Sequence, residues 1–313
     1  MGKRYAIILN PFSFNFTSRL QGRLHEVVNI LRNGGENEVA VFFTSSSGDA
    51  TGLARKTYED GFDVIVSAGG DGTLNEVANA LAGTDAVVGV LPIGITNVFA
   101  LEMGIPMNPY KAARIILEGQ PYRIDLGEAN GRKFILMAGA GLEGLAVYGL
   151  NLELKKFIGG LAYIISGTLG YFKHKREKIV VRYRDSRGDE KEIEGYEAVI
   201  SNTSFHGGRF VMSPGARVDD GLLDLCVFKK KGFFRDLLYF IGFFLSLHHK
   251  MPSVHLDRGV DFTLHSEGKV YYHVDSEPAG KLPMNVVVVP ESLNVILPPG
   301  KLSRERLVVE KKK

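Results

Sequence analysis

The sequence predicts two domains of different class: a parallel α/β domain over residues 1–126, then an antiparallel β-sandwich over residues 127–292, with residues 293–313 able to return to the first. Two patterns carry this. In the first hundred residues, nearly all-apolar strand segments alternate with segments of helical spacing, as in a parallel sheet covered on both faces. Beyond roughly residue 126 the strand segments follow one another through turns, the habit of antiparallel sheets. A chain of 313 residues, 45% apolar and 23% charged, has the material for two cores.

Tyr5–Leu9 is an apolar run stopped by Asn10-Pro11, a strand entering a loop. Leu20, Leu24, Val27, Val28 and Leu31 recur at helical spacing and predict a helix over Leu20–Leu31. Val39–Phe43 reads as a strand, Gly48–Tyr58 as a helix, Asp63–Ser67 as a strand, Leu74–Leu81 as a helix and Val87–Leu91 as a strand. A short helix then stops near Gly104. In such sheets ligands bind at the carboxyl ends of the strands, so four polar strand ends gather on one edge. Taken singly, Asn10-Pro11 and the Thr44–Asp49 stretch are also plain turn or capping chemistry.

In the second half, Lys133–Met137, Lys178–Arg184, Glu197–Ser201, Leu223–Phe228, Asp261–His265, Val270–Val274 and Asn285–Val289 read as strands. Two helical insertions, Gly144–Tyr171 and Phe233–Leu247, interrupt them. Phe233–Leu247 contains Arg235 and Asp236 and is shorter than the ~20 apolar residues that cross a bilayer, so it does not span. It reads either as a helix packed on the second domain's core or as an interfacial helix dipping into lipid.

Composition narrows the function classes. A net charge of +3 is too small to argue for nucleic acid. The single cysteine, Cys226, excludes an intramolecular disulfide framework, offers no zinc cluster and is expected in the core. Strand pattern from Arg4 onward leaves no room for a signal peptide, so the cytoplasm is the expected location. Lys311, Lys312 and Lys313 form either a solvated end or a weak attraction to anionic lipid. An exposed sandwich edge could support a homodimer.

The most informative segment runs from Asp63 through Gly69-Gly70-Asp71-Gly72-Thr73 to Asn75-Glu76. A buried strand ends in three glycines around one aspartate, then a helix begins. Glycines let backbone N–H groups approach an anion, and the helix N-terminus adds its dipole. Thr73 and Glu76 fit a T-x-x-E capping box. Asp71 inside an anion loop would repel phosphate unless a cation such as Mg²⁺ stood between them, which makes phosphate with Mg²⁺ the sharper reading over a turn-forming aspartate. Leu91-Pro92-Ile93-Gly94-Ile95-Thr96-Asn97 is a second junction of this kind.

Gly69 to Thr73 resembles the signature of the diacylglycerol-kinase catalytic-domain family, related to sphingosine and ceramide kinases; NAD kinases carry the same pentapeptide. The accompanying motifs are similar too: Asn10-Pro11, Leu91-Pro92-Ile93-Gly94 with Asn97, Phe99-Ala100 and Gly104-Ile105-Pro106, then Ser213-Pro214-Gly215-Ala216 with Asp219 to Asp224, and Val274-Asp275-Ser276-Glu277-Pro278. This resemblance implies an N-terminal NAD-kinase-like α/β domain and a C-terminal β-sandwich, with ATP and a lipid at the membrane surface meeting in a cleft. It implies that Asn10, Thr44, Gly69, Gly70, Asp71, Gly72, Thr73, Asn75, Gly94, Thr96 and Asn97 serve ATP. By the same resemblance Asp220, with the carbonyls of Arg217 and Leu222, matches a structural Mg²⁺ site; by itself Asp-Asp-Gly is also an ordinary hairpin turn. Asp71, Asp275 and Glu277 are the implied catalytic carboxylates. At i and i+2 of an extended segment, Asp275 and Glu277 are expected to point the same way, one of them as general base.

Two positions depart from the family pattern. Its second loop usually reads Gly-Thr-x-Asn-Asp, where this chain has Gly94-Ile95-Thr96-Asn97-Val98, and its late motif has glycine where this chain has Ser276. Two rivals stay open: an NAD(P)-kinase-like enzyme, disfavoured by the Asp219–Asp224 motif, and a catalytically silent module that binds lipid or nucleotide.

Overall fold

The structure, a computed structural model, describes residues 2–13, 18–148 and 176–302. It divides into two compact units, Met1–Leu126 with Pro290–Lys313, and Gly127–Val289.

In the first unit, β1 (Arg4–Leu9), β2 (Glu38–Phe43), β3 (Val64–Gly69) and β4 (Val87–Pro92) pair in parallel in the order β2-β1-β3-β4. The last part of β17 (Met284–Leu297) adds beyond β4, with Asn294 opposite Val87. Helices α1 (Ser18–Arg32), α2 (Asp49–Glu59), α3 (Asp71–Leu81), α4 (Val98–Met103) and α5 (Pro109–Glu118) connect the strands, with α2 packed on α3 and α1 on α5. Ile7, Ile8, Ile65, Val66 and Val88 are fully buried, as near-continuous apolar strands require when both sheet faces are covered. Helix α5 lies where the sequence reading placed nothing. Its start is nonetheless written locally: Asn108 Oδ1 accepts from the N–H groups of Tyr110 and Lys111, Pro109 opens the first turn, and Gly119 follows the end.

The capping box expected at Thr73 and Glu76 is not formed. Helix α3 begins at Asp71 with Gly70 as N-cap and no side-chain cap. Glu76 instead reaches α2, where its two oxygens accept from Gly48 N (2.9 Å) and Ala50 N (3.1 Å). An anionic side chain from one helix thus satisfies the first-turn donors of the preceding helix.

The second unit is antiparallel throughout. Strands β16 (Glu277–Lys281), β15 (Tyr271–Val274), β7 (Met137–Ala140), β10 (Glu197–Ser201), β13 (Leu223–Phe228) and β14 (Val254–His265) lie in that order, and β8 (Ile179–Asp185) and β9 (Glu190–Gly195) continue from β14. Phe134, Val181, Leu225, Phe262 and Val274 sit in its core. Cys226 is fully buried on β13 and its thiol is pushed up by burial. The single strand expected over Lys133–Met137 is two, β6 (Arg132–Phe134) and β7, broken at Ile135 and Leu136. The break has a cause: a carboxylate, not a neighbouring strand, takes the N–H groups there.

Helix α7 (Phe233–Phe244) is not the core helix offered as one reading of the sequence. Only Tyr239 and Gly242 are buried, while Phe234 is 80% exposed and Leu237, Leu238, Ile241 and Leu245 are exposed too. Among the described residues no helix is long and apolar enough to cross a membrane. Of the insertion expected over Gly144–Tyr171, only the part within α6 (Leu142–Tyr148) is described; the remainder, like Lys311 to Lys313, lies outside the described residues.

Candidate active site

The strand ends of the first unit are stitched together. Ile93 N and Gly94 N both donate to Gly69 O, joining the loop after β4 to the end of β3. Asn97, in the left-handed region at φ 47°, holds its own loop by accepting from Gly94 N (3.0 Å) and donating to Gly94 O (2.8 Å). A Cβ on Gly94 would run into Gly70 and Asn97, so the glycine at 94 is the condition for this approach. Asn10 Nδ2 donates to Thr73 Oγ1 (3.1 Å), tying the end of β1 to α3. Gly69, Gly70, Asp71, Pro92 and Asn97 line one small recess.

Thr44 follows β2, is buried, and its hydroxyl has no partner among the described residues. The loop after it is pinned by Asp49, which accepts from the N–H groups of Ser45 (2.8 Å) and Ser46 (2.9 Å) and from both hydroxyls. The Ser45 hydroxyl and these companions bring Asp49 down to about 2. Asn75 is buried on α3 and its Oδ1 accepts from Asn79. Gly72 lies in the first turn of α3, whose N–H groups no side chain caps.

Asp71 is engaged within the protein. Its oxygens accept from Val98 N (2.9 Å), Phe99 N (3.1 Å) and the Thr96 hydroxyl (3.2 Å). Burial pushes it up, against the pull of those donors. The sequence argument for Mg²⁺ at Asp71 rested on an uncompensated charge, and here amide dipoles at the start of α4 compensate it. The same bonds account for Val98: its N–H serves Asp71 and its side chain is buried, so the departure from the family pattern leaves the loop intact.

In the second unit, Asp275 and Glu277 do not share a direction. Asp275 and Ser276 are both left-handed, at φ 46° and 61°, and make the tight turn between β15 and β16 rather than an extended segment. The Asp275 carboxylate is buried and accepts from Ile135 N (2.9 Å), Leu136 N (3.0 Å) and Met137 N (2.9 Å). Glu277 is half-exposed and paired with Arg132.

Behind this turn lies a partly buried ionisable network that the sequence reading missed. His273 Nε2 lies 3.2 Å from Glu143 Oε2, and His206 Nε2 lies 3.0 Å from Glu143 Oε1. Ser276 N donates to His273 Nδ1 (3.3 Å), so the network touches the turn directly. Burial opposes the charge of Glu143, but His206 and His273 overcome it and hold Glu143 well below the usual carboxylate range. Burial and then the charge of Glu143 push Glu197 up to about 8, while its oxygens accept from Leu142 N and Glu143 N. Burial lowers His206, but Glu143 outweighs it and the net shift is upward.

The residues expected to hold a structural Mg²⁺ do not fit that ion. Arg258 Nη1 donates to Asp220 Oδ2 (3.4 Å), Leu222 N donates to Asp220 Oδ1 (3.2 Å), and the Arg217 guanidinium is paired with Asp219. A permanent positive charge already faces the one carboxylate the ion would need. Among the described residues no group of three His, Cys, Asp or Glu side chains is arranged to hold a metal.

The family model of the diacylglycerol kinase catalytic domain matches residues 4–129, and that of the YegS C-terminal NAD kinase β-sandwich-like domain matches residues 148–297. A protein named diacylglycerol kinase from Staphylococcus saprophyticus is 31% identical over 305 residues, covering 95% of this chain and 96% of that protein. Its namesake from Bacillus subtilis is 30% identical over 302 residues, covering 96% and 98%. A crystal structure of a diacylglycerol kinase from Bacillus anthracis superposes with a TM-score of 0.76 at 23% identity, covering 96% of this chain and 99% of that one, a likeness of fold.

Proposed function

Because this chain belongs to the diacylglycerol kinase catalytic-domain family, we propose that it phosphorylates the hydroxyl of a diacylglycerol-like lipid at a membrane surface. It is an ATP-dependent lipid kinase; the acceptor, the ion and the base are the proposal. The observation that supports it most is the uncapped first turn of α3, with the loop after β4 drawn against it by Gly69, Gly94 and Asn97. N–H groups at a helix start that has no N-cap side chain suit the phosphates of ATP.

In this reading the N–H groups from Gly70 to Thr73 bind phosphate oxygens, and the unpartnered Thr44 hydroxyl donates to the nucleotide. Asn10, Asn75, Thr96 and Asn97 keep the loops in place, and Asp71 fixes the loop after β4 to α3. Mg²⁺ arriving with ATP neutralises phosphate charge. Glu277, half-exposed and paired with Arg132, takes the proton from the lipid hydroxyl. The hydroxyl oxygen bonds to the γ-phosphorus as the bond to ADP breaks. Asp275, with three backbone donors, anchors the turn that carries Glu277.

Helix α7 supports the membrane part of the reading. Its exposed Phe234, Leu237, Leu238 and Ile241 suit the acyl boundary, and Lys230, Lys231 and Arg235 suit anionic headgroups. The test is phosphate transfer by Glu277→Gln. Exchange of a half-exposed carboxylate for its isosteric amide is expected to lower kcat ~10²–10⁴-fold with little change in thermal midpoint. Unchanged kcat removes Glu277 as the base.

A further inference from the structure

We infer that Arg258 stands in for the divalent cation implied at Asp220, so that the loop from Ser213 to Leu222 is closed by a guanidinium and needs no bound metal. This inference is independent of the phosphoryl-transfer reading. Arg258 lies on β14 directly opposite Asp224 of β13. Its Nε donates to Asp224 Oδ1 (3.2 Å), its Nη1 to Asp220 Oδ2 (3.4 Å), and its Nη2 to the carbonyl of Gly215. One planar group therefore gathers two carboxylates and a carbonyl around the loop, and it occupies Asp220, the one side chain in the ligand set implied for the ion.

Local sequence accommodates this arrangement. A Cβ on residue 215 would collide with Arg258 Nη2, so Gly215 lets the guanidinium reach the loop backbone. Arg258 is about one-third exposed, and Ser186 N donates to Arg258 O while Arg258 N donates to Asp257 Oδ1, which hold the strand from which it projects. The nearest other carboxylate of the motif, Asp219, is occupied by Arg217 (2.9 and 3.0 Å). Because a guanidinium stays protonated at all working pH, the closure is permanent, whereas a metal-closed loop would follow the free ion concentration.

The test is the thermal midpoint of the full chain, free of nucleotide, in EDTA and in millimolar Mg²⁺ or Ca²⁺ at matched ionic strength. The wild type is expected to melt at the same midpoint in both. Arg258→Met, which leaves Asp220, Asp224 and the Gly215 carbonyl without their cation, is expected to melt lower in EDTA and to recover by about 2–4 °C with Ca²⁺. A wild type that loses stability in EDTA and regains it saturably, with Asp220→Asn abolishing the recovery, overturns the inference. So does a folded Arg258→Met chain indifferent to the cation. Should that variant not fold, terbium luminescence on the wild type decides: a stoichiometric site lost in Asp220→Asn contradicts the inference, and its absence upholds it.

Discussion

Asp275→Asn is the obvious mutation at this site, and the structure says that its effect on folding will be large. The carboxylate serves three backbone donors, Leu136 and Met137 on one oxygen and Ile135 on the other. Asparagine retains one oxygen, so its best rotamer keeps the first pair and turns an NH₂ group onto Ile135 N–H. A buried N–H left unpaired costs ~1–3 kcal/mol, and the two surviving bonds each weaken by ~1 kcal/mol as they lose their charged acceptor. Relief from burying a charge offsets part of this. A net loss of about 2–4 kcal/mol remains, or about 5–15 °C in midpoint for a unit of this size. The assay is a thermal melt by circular dichroism beside the phosphate-transfer rate. A variant that melts within ~1 °C of wild type, yet is inactive, refutes the anchoring role and makes Asp275 the better base.

Four further outcomes are expected. Ser276→Gly relieves a left-handed serine at φ 61° and should stabilise by ~0.5–1 kcal/mol, read by denaturant melting, with the Ser276 N bond to His273 retained. Gly94→Ala pushes the loop after β4 off Gly70 and should raise KM for ATP at least ~10-fold, with a smaller effect on KM for lipid. Glu197, raised to about 8, and His206, also raised, both contribute stability that is complete at low pH and is lost as pH rises through their folded values. Stability should therefore fall progressively as pH rises from about 4.5 to about 8, read as the thermal midpoint, and Glu197→Gln should flatten that slope; a slope unchanged in the variant counts against it. Leu238→Glu, on the exposed face of α7, should reduce binding to anionic vesicles while leaving the melt unchanged.

What the sequence made legible was what is local. A strand ending in Gly69-Gly70 and passing straight into α3 is contiguous, and its apolar run and glycines announce both the element and the anion-binding turn. The cap of α5, Asn108 before Pro109, is equally local. What stayed hidden depends on partners far apart in the chain. Asp275 meets residues 138 to 140 positions away, which breaks an expected strand and turns the expected pair of carboxylates into an anchor and a half-exposed group paired with Arg132. Glu76 caps a helix 26 to 28 residues earlier, and Arg258 closes a loop 34 to 43 residues earlier, and no local spacing signals either. Helix α7 shows a different limit: its apolar residues ring the helix, so periodicity identified a helix without saying whether core or lipid would cover it.

The most direct measurement is transfer of labelled γ-phosphate from ATP to a panel of acceptors: diacylglycerol and other neutral lipids in mixed micelles, with NAD beside them. The account predicts label in one lipid class, none in NAD, and loss of that label in Glu277→Gln while the protein remains folded. Label in NAD, or ATP bound with no lipid labelled, would contradict it.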